Sequence, residues 1–164
     1  MAKQKEEKTN VMRILEQRGI PFRAHSYPHQ EGVAVDGETV ARSLGQDPEC
    51  VFKTLVARGA SREIYVFVIP VAESLDLKKA ARCVGEKSVE LVHVKEILPL
   101  TGYIRGGCSP VGMKKEYPTI FHETAEIVDT LCVSAGKIGL QVELSPRALL
   151  ELTGGKLADV TVGG

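Results

Sequence analysis

The sequence predicts an α+β fold, in which helices flank a single curved, mixed or barrel-like β-sheet. Segments rich in β-branched and aromatic residues outnumber the segments with helical periodicity, and the two kinds are interspersed along the chain. The sequence has no regular β-α-β alternation and no internal repeat. A doubly wound parallel sheet and a solenoid are therefore not expected.

Periodicity, capping residues and turn residues together predict five helices and eight strands. The predicted helices run from Thr9 or Asn10 to Gly19, Glu38 to Leu44, Asp76 to Val84, Val94 to Leu98 and Pro146 to Leu152. The predicted strands cover Phe22 to Tyr27, Val51 to Ala57, Ile64 to Ile69, Val89 to Val92, Thr119 to His122, Ile127 to Val133, Gly139 to Leu144 and Leu157 to Val162. The second and third strands, joined by a polar turn, predict a β-hairpin.

Composition indicates a globular, cytoplasmic protein. Of 164 residues, 43% are hydrophobic and 26% are charged, which is ordinary for a folded domain. The longest apolar stretches are much shorter than the roughly 20 residues of a membrane span, no signal peptide opens the chain, and its four cysteines form no Cys-x-x-Cys pair. We expect residues 1–8 to be flexible and residues 9–164 to form one domain with reduced thiols.

The charge balance argues against general nucleic-acid binding. Lysine plus arginine and aspartate plus glutamate both number 21, so the net charge is zero. No helix-turn-helix pair with a basic recognition helix can be recognised, and we expect no DNA binding. A local basic face is still compatible with neutrality, because phosphate binding depends on the charges at the contact.

The most unusual segment is the glycine-rich loop from Gly102 to Lys115, which also contains Pro110. Glycines let successive backbone N–H groups converge on an oxyanion or a phosphate, so the loop predicts a substrate pocket lined by backbone. A turn whose glycines only relieve steric strain is the alternative. A second loop, Ser134 to Leu140, could form the opposite wall of the same pocket or be a simple hairpin turn.

Lys53 lies within the apolar strand Val51 to Ala57, where a charged side chain must face either solvent or a cleft. Strand alternation places it on the face of Leu55, opposite Phe52 and Thr54. A lysine among apolar neighbours is suited to holding a phosphate or polarising a carbonyl group, although a solvent-facing lysine is the commoner case.

Other common chemistries find no support in the sequence. The four histidines have no metal-ligand spacing, no serine lies in a Gly-x-Ser-x-Gly motif, and no cofactor motif is present. Cys108 could be a nucleophile, but the sequence names no base for it, and a buried or pocket-lining thiol is the simpler interpretation.

Three motifs together resemble the YbaK/EbsC family, free-standing relatives of the editing domain of bacterial prolyl-tRNA synthetases. They are Val51-Phe52-Lys53-Thr54-Leu55, Gly106-Gly107-Cys108-Ser109-Pro110-Val111-Gly112 and Ser134-Ala135-Gly136-Lys137-Ile138-Gly139-Leu140. The resemblance extends from the first helix to Leu152. It implies a mixed-sheet editing domain that cleaves the aminoacyl ester of Cys-tRNA(Pro), with Cys-tRNA(Cys) as a further candidate substrate.

The resemblance also implies how the site works. In such sites the thiol of the substrate cysteine attacks its own ester carbonyl, so the protein mainly positions the substrate and stabilises an oxyanion. The catalytic candidates are Lys53, Gly106 and Gly107. The substrate-binding candidates are Tyr27, Ser109, Ser134 and Gly136. No metal or cofactor is implied.

The resemblance leaves substrate choice and partners open. Related editing domains prefer alanine or other small residues, so Ala-tRNA(Pro) is an alternative substrate. Prolyl-tRNA synthetase is the implied partner for recognition of the tRNA body, and basic side chains of the chain could contact phosphate. These basic side chains are Lys78, Lys79, Arg82, Arg105, Lys114 and Lys115. A regulator that binds a nucleotide or nucleic acid without catalysis is the alternative from another class.

Overall fold

Five α-helices and eight β-strands form within residues 8–163, the part of the chain that the computed structural model describes. The helices are α1 (Asn10–Gln17), α2 (Gly37–Ser43), α3 (Leu77–Val84), α4 (Val94–Thr101) and α5 (Pro146–Thr153). The strands are β1 (Phe22–Ser26), β2 (Phe52–Gly59), β3 (Ile64–Pro70), β4 (Val89–Leu91), β5 (Thr119–His122), β6 (Leu131–Ser134), β7 (Leu140–Leu144) and β8 (Lys156–Ala158). Apart from Lys8, the N-terminus predicted to be flexible lies outside the described residues, as does Gly164.

The strands form two sheets, which confirms the α+β class but differs from the single sheet expected. One sheet has the order β1-β7-β6 and is antiparallel, and the other has the order β4-β2-β3-β5-β8. In the larger sheet β3, β5 and β8 are mutually parallel, and the remaining pairs are antiparallel. A single bridge between Val51 and Cys132 connects the sheets.

Strand β6 begins later than the sequence predicts. After β5 the chain makes a 3₁₀ turn at Glu123–Glu126, and Ile127 is 80% exposed. The strand expected from Ile127 therefore starts only at Leu131, whose side chain is fully buried. This late start limits the pairing of β6 to β7 and to the bridge with Val51.

One hydrophobic core fills the space between the two sheets. Val66, Val68 and Phe121 of the larger sheet share this core with Val133 and Val142 of the smaller one. Helices α1 and α5 add further apolar side chains to it, and α3 covers the opposite face of the larger sheet. The larger sheet thus packs apolar side chains on both faces.

The predicted hairpin and helix caps are present. Strands β2 and β3 pair from Phe52 opposite Pro70 to Arg58 opposite Ile64. The Asp76 carboxylate accepts hydrogen bonds from the N–H groups of Lys78 and Lys79, both at 3.0 Å, so it caps α3 as expected. The hairpin pairing holds the start of β2 in place, with Lys53 opposite Ile69. None of the helices described here is long and apolar enough to cross a membrane.

Candidate active site

A cleft of about 470 Å³ opens where the two sheets meet. Its walls come from the start of α2, the first residues of β2, the β6–β7 turn region and the glycine-rich loop. The lining residues include four sequence-predicted positions, which are Tyr27, Lys53, Gly106 and Ser134. Residues that are distant in the sequence therefore meet at one concave surface of a size suited to a small ligand group.

Lys53 projects from β2 into this cleft and is only partly exposed. Burial lowers the pKa of its ammonium group below the ordinary 10.5, and the negative charges of Glu38 and Glu73 act in the opposite direction. Within residues 8–163 the Lys53 side chain makes no hydrogen bond or ion pair. An unpaired, partly desolvated cation is thus available to a phosphate or to an ester carbonyl.

The two candidate glycines of the loop have different environments. Gly106 lines the cleft with a φ of +86°, and its N–H has no acceptor among the described residues. The N–H of Gly107 instead donates to the carbonyl oxygen of Ile104 at 3.0 Å, and Gly107 packs on the backbone of Lys137. Gly106 is therefore the backbone donor that remains available, whereas Gly107 closes the turn that positions it.

Tyr27 and Ser134 lie in the lining of the cleft. Tyr27 is 8% exposed, and burial raises the pKa of its phenol, so the hydroxyl stays protonated at neutral pH. The Ser134 hydroxyl accepts a hydrogen bond from the N–H of Gly136 at 3.1 Å. Both hydroxyl groups are thus placed where they could contact a bound aminoacyl group.

Ser109 and Gly136 support the loops behind the described lining. Ser109 is fully buried, and its hydroxyl accepts the N–H of Val111 at 3.3 Å. Gly136 has a φ of +94°, and a Cβ there would lie 3.0 Å from the Tyr103 ring. These two residues shape the walls, and their contacts involve the protein itself.

Cys108 lines the cleft, yet its thiol is poorly suited to nucleophilic attack. Burial raises its pKa to about 11, so almost none of it is thiolate at neutral pH. The sequence interpretation of a buried or pocket-lining thiol agrees with this position. Among the described residues, no group of three or more His, Cys, Asp or Glu side chains could hold a metal ion.

Sequence reasoning did not assign several polar residues to the pocket. They are Asp36, Glu38, Thr54 and Gln141. The Thr54 hydroxyl is buried without a hydrogen-bond partner among residues 8–163. The Gln141 side chain is 3% exposed and forms a reciprocal amide pair with Gln46, at 2.8 and 3.2 Å. No local signal marked these positions, because only the folded arrangement of α2, β2 and β7 around one cleft brings them together.

Some of the basic side chains considered for phosphate binding are already bonded to other groups of the protein. Lys79 pairs with Asp159 at 3.0 Å and donates to the Thr161 carbonyl, and Lys114 donates to the Pro99 carbonyl. Arg105, in contrast, lies at the cleft and makes no hydrogen bond or ion pair within the described chain. Of the basic residues considered, Arg105 is the one that lines the cleft together with Lys53.

Solved structures share this fold, and one of them points to the class of enzymes that edit aminoacyl-tRNA. A protein provisionally described as a trans-editing enzyme for prolyl-tRNA synthetase matches with a TM-score of 0.81 at 27% identity, covering 96% of this chain and all of that one. A hypothetical protein matches with a TM-score of 0.82 at 25% identity, covering 93% of this chain and 99% of its own.

The aminoacyl-tRNA editing domain model matches residues 32–152, and the chain belongs to that family. It is also 47% identical over 162 residues to EbsC of Enterococcus faecalis, a protein provisionally named as a Cys-tRNA(Pro)/Cys-tRNA(Cys) deacylase. That match covers 98% of both chains. The family expected from the three sequence motifs is therefore confirmed.

Proposed function

We propose that this protein is an aminoacyl-tRNA deacylase that removes cysteine from Cys-tRNA(Pro), with Cys-tRNA(Cys) as a further substrate. The observation that carries the proposal is the 47% identity to EbsC along 98% of both chains. The cleft supports it, since it combines an unpaired lysine with an available backbone N–H and with a cysteine thiol, Cys108, whose raised pKa keeps it protonated at neutral pH. A second, editing site is needed chemically because a synthetase pocket cannot strongly reject a side chain of similar size.

In the proposed reaction the substrate supplies its own nucleophile. The cysteine thiol loses its proton, and its sulfur attacks the ester carbonyl carbon. The carbon–oxygen bond to the terminal ribose then breaks, and the ribose oxygen takes a proton as it leaves. The product is free tRNA and a cysteine thiolactone, which water opens to cysteine. Holding the thiol near the carbonyl can supply much of the rate enhancement.

Five residues of the cleft have roles in this proposed reaction. The Gly106 N–H donates to the oxyanion that develops on the carbonyl oxygen, and Lys53 orients the terminal adenosine or its phosphate. Arg105 binds a backbone phosphate of the acceptor end. Tyr27 and Ser134 contact the aminoacyl group and exclude water from it.

We further propose that recognition of the tRNA body comes from association with prolyl-tRNA synthetase in the cytoplasm, where the mischarged tRNA is made. The zero net charge supports this, because a protein that held the whole tRNA alone would need a broad basic face. Co-purification of the two proteins with mischarged tRNA tests the association.

Replacing the substrate cysteine by serine tests the chemistry. A hydroxyl is far less ionised than a thiol and is a poorer nucleophile, so Ser-tRNA(Pro) should be cleaved much more slowly than Cys-tRNA(Pro). Equal rates would refute attack by the substrate thiol. Faster release from Ala-tRNA(Pro) than from Cys-tRNA(Pro) would instead favour the alternative substrate and a mechanism that uses water.

A further inference from the structure

The carboxylate of Glu38 is an unassigned charged group in the cleft. Glu38 lies in the first turn of α2 and lines the cleft together with Lys53. Its side chain makes no hydrogen bond or ion pair with any residue in the range 8–163. The neighbouring Asp36 is different, because its two carboxylate oxygens accept hydrogen bonds from the Thr39 N–H at 3.0 Å and the Thr39 hydroxyl at 2.6 Å. Glu38 is therefore the carboxylate that is available to a ligand.

Glu38 and Lys53 influence each other electrostatically without forming an ion pair. The negative charge of Glu38 favours the charged form of Lys53, yet no ion pair within 4.0 Å joins the two side chains. The two opposite charges therefore line one cleft without neutralising each other through a direct contact. Glu73 also acts on Lys53 electrostatically, but it is not among the described residues that line the cleft.

An aminoacyl ester carries groups that complement both of these charges. Its α-ammonium group and its carbonyl carbon are both bonded to the same α-carbon, and the carbonyl oxygen becomes negative during cleavage. An ester satisfies both charges when its ammonium group faces Glu38 and its carbonyl oxygen faces Lys53 and the Gly106 N–H. The reverse orientation would place the ammonium beside the Lys53 cation, which is unfavourable.

We infer that Glu38 binds the α-ammonium group of the substrate and makes the enzyme selective for esters with a free amino group over N-acylated and peptidyl esters. This inference rests on the proposed deacylase function and adds a specificity residue to it. Its physiological meaning is that peptidyl-tRNA, whose esterified residue has its α-nitrogen in a peptide bond, is spared. A structural role alone, as a favourable charge at the start of α2, would affect thermal stability and leave this selectivity unchanged.

The test compares Cys-tRNA(Pro) and N-acetyl-Cys-tRNA(Pro) as substrates of the wild type, Glu38→Gln and Glu73→Gln. A charge-assisted hydrogen bond predicts that kcat/KM of the wild type is about 10- to 100-fold higher for the free amine. Glu38→Gln should lose that preference by slowing cleavage of Cys-tRNA(Pro) alone. Glu73→Gln should keep it, because it changes the field at Lys53 without removing a group from the cleft. An undiminished preference in Glu38→Gln would overturn the inference.

A binding measurement separates failure of this inference from failure of the proposed function. The probes are 3′-cysteinylamido-adenosine, which cannot be cleaved as an ester, and its N-acetyl derivative, titrated into each protein by calorimetry. Tighter binding of the free amine to the wild type but not to Glu38→Gln supports the inference even if no ester is cleaved. Equal binding of both probes by the wild type overturns it, while cleavage of Cys-tRNA(Pro) would still support the deacylase. Binding of neither probe, with no cleavage, overturns both.

Discussion

Replacing Gly106 by alanine should impair catalysis beyond its effect on stability. Gly106 has a φ of +86°, a conformation that costs an alanine about 1–2 kcal/mol. A Cβ at this position would also lie 2.7 Å from the Ala34 Cβ, about 0.7 Å short of the 3.4 Å at which ordinary contact begins. Because Ala34 Cα is only 3.0 Å away as well, the loop itself must shift.

The expected loss of activity follows from the size of that shift. Displacing a catalytic group by about 1 Å can reduce the rate by about 100-fold, so a shift of this size predicts a 10- to 100-fold lower kcat/KM. The loss should fall mainly on kcat, since the Gly106 N–H is proposed to act on the developing oxyanion. The assay is release of labelled cysteine from Cys-tRNA(Pro) well below the unfolding temperature.

Gly102 provides a matched control for the backbone strain. It has the same φ of +86°, ends α4 in the same loop region, and leaves open space for an alanine Cβ, which would meet no atom within 4 Å. Gly102→Ala should lower stability by about 1–2 kcal/mol, which corresponds to roughly 2–8 °C in Tm, and should retain activity. Wild-type kcat/KM in Gly106→Ala, or an equal loss in both variants, would refute the role of Gly106.

Other substitutions and conditions give further tests. Lys53→Met should lower kcat/KM about 100-fold or more while the fold is retained, and wild-type activity would place Lys53 outside the mechanism. If charged Lys53 is required, kcat/KM should fall as the pH rises through its lowered pKa, below 10.5, and Glu38→Gln should move this decline to lower pH because Glu38 favours the charged form. Cys108→Ala should keep deacylase activity within about threefold, and the exposed Cys83 should react with iodoacetamide before Cys108, whose pKa is about 11. Phe121→Ala should reduce the free energy of unfolding by about 3–5 kcal/mol in urea, since its side chain is fully buried between the sheets.

Local sequence signals predicted most of the fold. The β2–β3 hairpin, the Asp76 cap of α3 and the Pro146 start of α5 are encoded by neighbouring residues, and each was expected near its observed position. The division into two sheets was not predicted. The segment around Ile127 has the composition of a strand, but it is exposed and pairs with no strand of the described chain until Leu131.

Residue types alone pointed to the site only where a residue stands out from its local environment, whereas Tyr27 and Ser134 were expected from the family resemblance. Lys53 stands out in an apolar strand, and the loop around Gly106 has an unusual density of glycine, so both were found. Glu38 looks like an ordinary first-turn glutamate, and Thr54 like an ordinary strand residue. Their place in the cleft depends on how α2 packs beside β2, which residue types and spacing do not reveal.

The most direct test of the account is the release of labelled amino acid from Cys-tRNA(Pro), Ala-tRNA(Pro) and Pro-tRNA(Pro) by the purified protein. We expect fast release of cysteine, slow release of alanine and no release of proline. Absence of release from all three, under conditions in which the protein is folded, would contradict the deacylase and leave a binding function for the cleft.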